Sequence, residues 1–329
     1  EMLRSLVGSE MCIRDRPYVY KNKKYKNGEQ FMKKLTIAFL LLSSLSFAYT
    51  RKEQIQENLS KMGIKQAIID ETKKIDYEIR DIVAFENDET VIGEKLNKLL
   101  AILKKDERNY IVSEDIITIY ESKIGKDYEK YLDLFTKHTP YEYEKLFANM
   151  VYYRGIGKKD KSDSYYKEIE KKYNNTPIME IVKIFNIANE DNRQIQIKKV
   201  LNLLKSEDVK RQVGMPDEEV HSMNLTYTLS EVRKYYNDGK IEKAVSEYIN
   251  NVVNANVSNE VREYNRLKET LLLLNVLMIN EEITNKKLRE QNKQKLESTY
   301  ISKEIKKATA KDADYLDKYL NCLLYTSPS

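Results

Sequence analysis

The stretch YYNDGKIEKAVSEY, residues 235–248, decides the fold of this 329-residue chain. Four of its residues follow the spacing Tyr-x3-Gly-x4-Ala-x3-Tyr: Tyr235, Gly239, Ala244 and Tyr248. Glycine allows the backbone to turn sharply between two helices. A small alanine lets the second helix approach the first closely, and aromatic rings fill the space between paired helices. The stretch therefore predicts an antiparallel helical hairpin.

The same spacing recurs in YYRGIGKKDKSDSYYKEI, residues 152–169. The residues that correspond to the first four are Tyr153, Gly157, Ser162 and Tyr166, so serine takes the small-residue position that alanine has in the first copy. Both copies resemble the second half of a tetratricopeptide repeat. The resemblance implies an all-α fold in which stacked antiparallel helical hairpins form an α-solenoid. It is strongest over residues 125–248.

The repeats depart from the family pattern. A looser third copy, residues 125–135, has Tyr131 in the small-residue position, and its glycine, Gly125, stands one residue too far upstream. No copy has the Trp and the Leu-Gly pair that are typical of the first repeat helix. Positions 131, 162 and 244 lie 31 and 82 residues apart, whereas the family period is roughly 34. The repeats are therefore degenerate or interrupted, and the alternative is an irregular helical bundle.

The rest of the chain also favours helices. Only three prolines fall within residues 49–321, and glycine is scarce there, which argues against a β-sandwich. Helical periodicity is clear over residues 91–105 and 141–153, and residues 178–188 and 195–205 predict a further hairpin. The apolar residues 271–279 predict a buried core helix. We expect about ten to thirteen helices, most of them short.

Two Thr-Pro pairs mark predicted helix starts. Thr139 and Thr176 are each followed by proline, which is favoured at the first helical position. Glu142, three residues after Thr139, would complete a capping box in which the Thr hydroxyl and the Glu carboxylate bond backbone amides reciprocally.

The stretch MKKLTIAFLLLSSLSFA, residues 32–48, predicts a signal peptide. It has two lysines, an apolar core and small residues at the positions that a signal peptidase recognises, so cleavage between Ala48 and Tyr49 is expected. The apolar part is short for a membrane span, although a retained anchor is the alternative. We expect an exported protein, periplasmic or extracellular, with no membrane span after cleavage.

The two ends of the chain are consistent with one DNA element in opposite orientations. Permitted codons for residues 8–16 give a reverse complement that encodes residues 322–329. The element resembles a transposase adapter used for sequencing libraries. We interpret residues 1–16 and 322–329 as translated adapter and residues 17–31 as an untranslated upstream region. Native termini are the alternative.

This interpretation changes the charge and cysteine counts. Cys12 and Cys322, the only cysteines, both lie in the adapter segments. Nine of the 57 Lys and Arg residues and four of the 52 Asp and Glu residues precede residue 49, so residues 49–321 carry 48 of each sign. The net charge of +5 falls to zero. A neutral chain has no electrostatic reason to bind phosphate backbones, so we expect no nucleic-acid partner.

No motif of catalysis or metal binding stands out. The two histidines are His138 and His221, and Glu218-x-x-His221 is only half of a di-metal helix motif. We expect two ordinary surface histidines. No zinc-protease motif, phosphate loop or nucleophile elbow occurs. The sequence therefore predicts no catalytic residues, no metal, no cofactor and no enzyme.

These observations favour a protein- or peptide-binding scaffold in the bacterial envelope, built on residues 49–280. Three Tyr-Tyr pairs, at 152–153, 165–166 and 235–236, would each place one ring in the core and the next on a binding face. Residues 281–321 form a charged helical region. We predict that it is a solvated helix. The alternatives are a coiled-coil arm and the edge of a truncated domain.

Two other functions stay open. One is the helical accessory domain of a larger envelope enzyme truncated after Asn321, which a stop codon soon after that position in the native gene would exclude. The other is a coiled-coil surface or adhesive protein, for which sustained heptads would be needed.

Overall fold

A computed structural model describes residues 49–85, 89–120 and 128–307. The predictions on the adapter segments, the upstream region and the signal peptide lie outside these residues, as do those on Gly125 and on positions 308–321. In the described part, the secondary structure consists of helices and contains no strand. The all-α prediction is therefore confirmed.

Sixteen α-helices occur in the described residues. They are α1 (Arg51–Lys61), α2 (Gln66–Phe85), α3 (Glu89–Lys105), α4 (Tyr110–Ile119), α5 (Tyr128–His138), α6 (Glu142–Gly155), α7 (Lys159–Tyr173), α8 (Pro177–Ile184), α9 (Glu190–Leu203), α10 (Glu207–Gln212), α11 (Asp217–Asn237), α12 (Ile241–Tyr248), α13 (Asn259–Tyr264), α14 (Arg266–Glu281), α15 (Lys286–Glu297) and α16 (Tyr300–Lys307). A π-helical segment, Ile249–Val253, continues α12. The number exceeds the expected ten to thirteen in part because α10 and α13, with six residues each, are too short to show a period.

Consecutive helices pack against one another through most of the chain. The most extensive contacts join α6 to α7, α11 to α12, α4 to α5, α8 to α9, and α3 to α4. The predicted hairpin over residues 178–205 corresponds to α8 and α9. Pairwise packing of this kind is compatible with a solenoid and with an irregular bundle, so the solenoid stays a prediction.

Two hydrophobic clusters form the core. The first runs from α1 to the start of α11, and the second joins α11, α12, α14, α15 and α16. Helix α11 belongs to both, because Met223 and Tyr227 pack into the first cluster while Leu225, Val232 and Tyr235 pack into the second. This long helix therefore connects the two halves of the core.

Helical periodicity placed the core residues correctly. In α6 the four predicted apolar positions are all buried: Tyr143, Leu146, Phe147 and Met150. In α3, Leu99 and Leu103 are buried, while Leu96 and Leu100 pack at the edge of the core. Thr176 caps α8 as predicted, since its hydroxyl accepts a hydrogen bond from the amide of Met179.

The capping box predicted at Thr139 is wrong. Helix α6 begins at Glu142, and its N-cap residue is Tyr141, whose side chain makes no capping bond. The Thr139 hydroxyl instead donates to the Glu144 carboxylate at 2.6 Å. Tyr141 keeps an extended backbone, with φ −95° and ψ 105°, and its hydroxyl reaches that of Tyr49 at 3.0 Å. A tertiary contact here overrides the local capping signal.

Two predictions on the C-terminal part need correction. Residues 271–279 lie in α14, and Leu272, Leu273 and Val276 are buried in the second cluster as predicted, but Met278 on the surface side of this helix is 54% exposed. The charged region is not one solvated helix over its described residues. It forms α15 and α16, whose Leu296 and Ile301 are buried in the second cluster. Among the helices of the described residues, none has the length and apolar character that a membrane span requires.

Candidate functional site

The helices α11 and α12 form the Gly239 hairpin. Gly239 has φ +70°, a left-handed conformation that favours glycine. Its amide bonds the carbonyl of Tyr236 at 2.9 Å, and the Lys240 amide bonds that of Tyr235 at 2.8 Å. This pair of bonds is a Schellman motif, which satisfies the last carbonyls of α11. The other predicted positions, Tyr235, Ala244 and Tyr248, are fully buried between the helices.

The helices α6 and α7 form the Gly157 hairpin with the same turn. Gly157 has φ +74°, and the Lys158 amide bonds the carbonyl of Tyr153 at 2.8 Å. Ser162 is buried, and its hydroxyl donates to the carbonyl of Met150 at 2.9 Å. Tyr153 and Tyr166 are only half-buried. The same spacing therefore places its rings at the surface in this hairpin.

Four half-buried tyrosine rings form a continuous row beside the Gly157 hairpin. We name this row the tyrosine strip: Tyr128, Tyr152, Tyr153 and Tyr165. The ring centroids of Tyr128 and Tyr152 lie 5.2 Å apart with nearly parallel planes. Tyr152 and Tyr153 meet edge to face at 5.2 Å, and Tyr153 stacks on Tyr165 at 5.7 Å. Three helices, α5, α6 and α7, thus contribute to one aromatic surface.

Local contacts hold the strip in place. The Lys161 ammonium lies 4.9 Å from the centroid of the Tyr153 ring, within cation–π range. The Tyr152 hydroxyl donates to the Glu129 carboxylate, and this bond raises the pKa of Tyr152 to about 12. The hydroxyl therefore keeps its proton at neutral pH. Ile156, three residues after Tyr153 in the turn that follows α6, is an apolar side chain that is 45% exposed.

We expected each Tyr-Tyr pair to place one ring in the core and the next at the surface. One pair of the three has this arrangement. Tyr235 is buried and Tyr236 is 38% exposed, but both rings of the pairs 152–153 and 165–166 are half-buried. Sequence reasoning did not place Tyr128 in the strip, because it lies on a separate helix from the other rings. No spacing rule connects it with Tyr152, 24 residues later.

A second surface feature is an open groove between α3 and α5, with a volume of about 630 Å³. Its floor is apolar and consists of Leu100, Leu103, Tyr131 and Leu134. Charges of both signs line its rim: Lys104, Lys105, Lys130, Asp106 and Glu107. This mixture of charges gives the groove no preference for a polyanion.

The most polar part of the interior surrounds Arg51. Its guanidinium is buried, with Nε 3.0 Å from Asp76 and Nη2 3.1 Å from Glu114. A third carboxylate, Glu219, lies 3.6 Å from Nη1, and the Arg51 amide donates to Glu218 at 2.7 Å. A buried charge needs such partners to offset its lost hydration. Arg51 thereby joins α1 to α2, α4 and α11.

A small cavity of about 30 Å³ lies beside Arg51, lined by Glu114, Glu144 and Glu219 among others. Burial, and secondly the charge of Glu114, raise the pKa of Glu144 from 4.5 to about 8. A cavity of this volume is large enough to hold a water molecule.

The histidines do not form a di-metal site in the described residues. His221 is buried, so its prediction as a surface residue is wrong, and its Nε2 lies 2.8 Å from Glu269 rather than pairing with Glu218. Arg262 also pairs with Glu269, at 2.5 Å. His138 is half-buried at the end of α5. No cluster of three or more His, Cys, Asp or Glu residues suited to a metal ion occurs in the described ranges.

Comparison with known proteins identifies no relative of this chain. No protein-family model matches the chain, and neither curated proteins nor solved structures give a match.

Proposed function

We propose that this protein is an exported, non-enzymatic helical-repeat protein that binds a protein or peptide partner in the bacterial envelope. The tyrosine strip is the surface that makes this contact. The observation that carries the proposal is the continuous row of four half-buried rings across three helices, with exposed Ile156 three residues after Tyr153 in the chain.

The chemistry of the strip suits a protein partner. Tyrosine offers a large, rigid contact area with a polar edge, and it loses little conformational freedom when it is buried. Tyrosine and arginine are enriched at the energetically dominant positions of interfaces. Arg154 lies next to the strip, and its guanidinium bonds the carbonyl of Phe185 at 2.7 Å, which holds it in position. Mutual stacking also holds the rings in place before a partner arrives, which lowers the entropy cost of binding.

The balance of charge supports a protein partner over a nucleic acid. Residues 49–321 carry equal numbers of acidic and basic side chains, and both signs lie around the strip, as Glu129 and Lys161 illustrate. Binding to a phosphate backbone draws its affinity from clustered cations. A partner with apolar or aromatic side chains fits this surface better.

The interior supports a role without catalysis. The carboxylates near Arg51 and Glu144 border a cavity of about 30 Å³, and most of them hold helices together through hydrogen bonds and ion pairs. Their arrangement is what a structural centre requires.

Site-specific photocrosslinking in the exporting cell tests the proposal. A photoreactive residue is placed at position 153 in the strip or at position 156 in the turn after α6, and at position 195 as a control. Ile195 is a suitable control because it is apolar, 68% exposed, and lies on α9 outside the strip. We expect one discrete cross-linked protein band from positions 153 and 156 and none from position 195.

The triple variant Tyr128→Ser, Tyr152→Ser and Tyr165→Ser sharpens this test. It should abolish the band from position 156 while the circular dichroism spectrum stays helical. Bands of equal yield from positions 156 and 195 would contradict the proposed surface. Fractionation of the same cells tests the location, since the protein should be found outside the cytoplasm.

A further inference from the structure

Tyr49, the first described residue, is fixed on every side. It is 2% exposed, and its carbonyl accepts a hydrogen bond from the Asp217 amide at 2.8 Å. Its hydroxyl lies 3.0 Å from that of Tyr141, and the Arg211 guanidinium lies 4.6 Å from the centroid of its ring. Its backbone nitrogen donates to Glu207 Oε2 at 3.1 Å.

The next two residues extend this fixed segment. The Thr50 hydroxyl and the Glu53 carboxylate form a capping box that starts α1. Arg51 then enters the buried centre where it meets Asp76 and Glu114. Residues 49–51 therefore connect α1, α2 and α4 with α10 and α11, which lie more than 150 residues further along the chain.

We propose that cleavage between Ala48 and Tyr49 creates a terminal ammonium that forms an ion pair with Glu207 and completes this attachment. In the hydrolysis, water adds a hydroxyl to the Ala48 carbonyl carbon and a proton to the Tyr49 nitrogen as the amide bond breaks. A terminal amine has a pKa of about 7.7–8.0, so it is mostly protonated at neutral pH. The proposal depends on the cleavage site predicted from residues 32–48, and it is independent of what the tyrosine strip binds.

The charges around this position favour an added cation. Ionisable side chains of both signs lie around Tyr49, among them Glu57, Glu207, Asp217, Glu219, Arg51, Lys210 and Arg211. Lys210 already pairs with both Glu207 and Asp217, and Arg211 pairs with Glu57. Arg51 pairs with Glu219, so Glu207 and Asp217 are the two carboxylates that share a single cation, Lys210. A further positive charge beside Glu207 is therefore favourable.

Processing then strengthens a bond that already exists. In the uncleaved chain the Tyr49 nitrogen is a neutral amide that offers Glu207 one ordinary hydrogen bond. After cleavage it is a charged donor, and charge-assisted hydrogen bonds are roughly twice as strong as neutral ones. The N-terminal segment is thus held most firmly only after the leader has been removed, which links maturation to the final stability of the fold.

A comparison of two purified chains tests the proposal. One chain begins at Tyr49, and the other begins at Ala48, which restores the neutral amide at the Tyr49 nitrogen. Each is prepared with Glu207 and with Glu207→Gln, and thermal unfolding is measured at pH 7. We expect the Tyr49 chain to melt about 3 °C higher than the Ala48 chain, a shift typical of one modest interaction in a domain of this size. The difference should fall below about 1 °C in the Glu207→Gln pair.

A matched variant and a chemical measurement make the result decisive. Glu57→Gln changes a nearby carboxylate that bonds Arg211 rather than the terminus, so it should preserve the difference between the two chains. Acylation of the terminal amine at pH 7 should be about tenfold slower in the native Tyr49 chain than in its Glu207→Gln variant, because pairing protects the ammonium. Equal melting temperatures of the two chains, or equal acylation rates, would overturn the proposal. So would a mature protein, recovered from an exporting host, that begins at a residue other than Tyr49.

Discussion

The Gly157 and Gly239 hairpins share one turn and differ in what their aromatic rings do. Both turns are Schellman motifs with a left-handed glycine. At Gly239 the rings of Tyr235 and Tyr248 are fully buried, whereas at Gly157 the rings of Tyr153 and Tyr166 are half-buried. The spacing therefore determines the geometry of a hairpin, and the neighbouring helices determine whether its rings stabilise the core or face a partner.

The neighbours explain the difference. Helix α12 packs against α14 as well as α11, so both of its sides along the hairpin are covered. Helix α7 packs mainly against α6, and only Ser162 and Ile169 of its residues are buried. Charged residues occupy much of the rest of α7, which leaves Tyr165 and Tyr166 at its margin.

The largest expected effect is the loss of a buried ring. Tyr248→Ala removes a side chain that is 0% exposed and should lower the free energy of unfolding by about 3–5 kcal/mol. Tyr166→Ala removes the ring in the same position of the Gly157 hairpin and should cost about 1 kcal/mol, because that ring is half-buried. Urea denaturation measures both. Equal losses would show that the two hairpins do not differ in the way described.

The second prediction concerns how stability depends on pH, and it involves the Gly157 hairpin but not the Gly239 hairpin. Glu144 in α6 has its pKa raised from 4.5 to about 8, so the folded state keeps a proton that the unfolded state has lost. Stability should therefore fall as pH rises from about 5 to about 8, by at most about 1.4 kcal/mol per pH unit. Urea denaturation at several pH values measures this slope.

Glu144→Gln, which cannot ionise, should flatten the slope. Thr139→Val provides a comparison, because the Thr139 hydroxyl bonds the carboxylate and lowers the pKa of Glu144. Its removal should extend the decline toward higher pH. A slope that Glu144→Gln leaves unchanged would assign the pH dependence to other groups.

Sequence reasoning identified the helices and many core residues, because the 3.6-residue period is a local signal. Leu99, Leu103 and the four apolar positions of α6 followed from spacing alone. It failed where a contact comes from far along the chain. Arg51 looks like an ordinary charged residue, yet its partners Glu114 and Glu219 lie 63 and 168 residues away.

The candidate site shows the same division. The turn at Gly157 and the pair Tyr152-Tyr153 are visible in the sequence, since they lie within one hairpin. The stacking of Tyr128 on Tyr152 depends on how α5 packs against α6, which no local pattern encodes. Likewise, the capping box predicted at Thr139 is wrong because the local pattern does not encode the contact of Tyr141 with Tyr49, which lies 92 residues earlier in the chain.

A third prediction exchanges the small residues of the two hairpins. Ala244→Ser places a hydroxyl in a fully buried position and should cost about 1–3 kcal/mol unless it finds a partner. Ser162→Ala removes the hydrogen bond to the Met150 carbonyl and should cost about 1 kcal/mol. Urea denaturation of both variants checks the order. If Ser162→Ala is the more damaging change, the serine contributes more to its hairpin than volume and one hydrogen bond explain.

The smallest effect should also be the most similar in the two hairpins. Gly157→Ala and Gly239→Ala each force a side chain into a left-handed conformation, and in both cases the added Cβ would meet no atom within 4 Å. The cost is therefore backbone strain alone, about 1 kcal/mol in each hairpin. Gly157→Asn and Gly239→Asn should cost less, because asparagine tolerates this conformation better. Thermal unfolding of the four variants measures the strain directly. A large difference between the two alanine variants would mean that the turns are not equivalent, and the contrast in ring burial would then begin at the turn itself and not at the neighbouring helices.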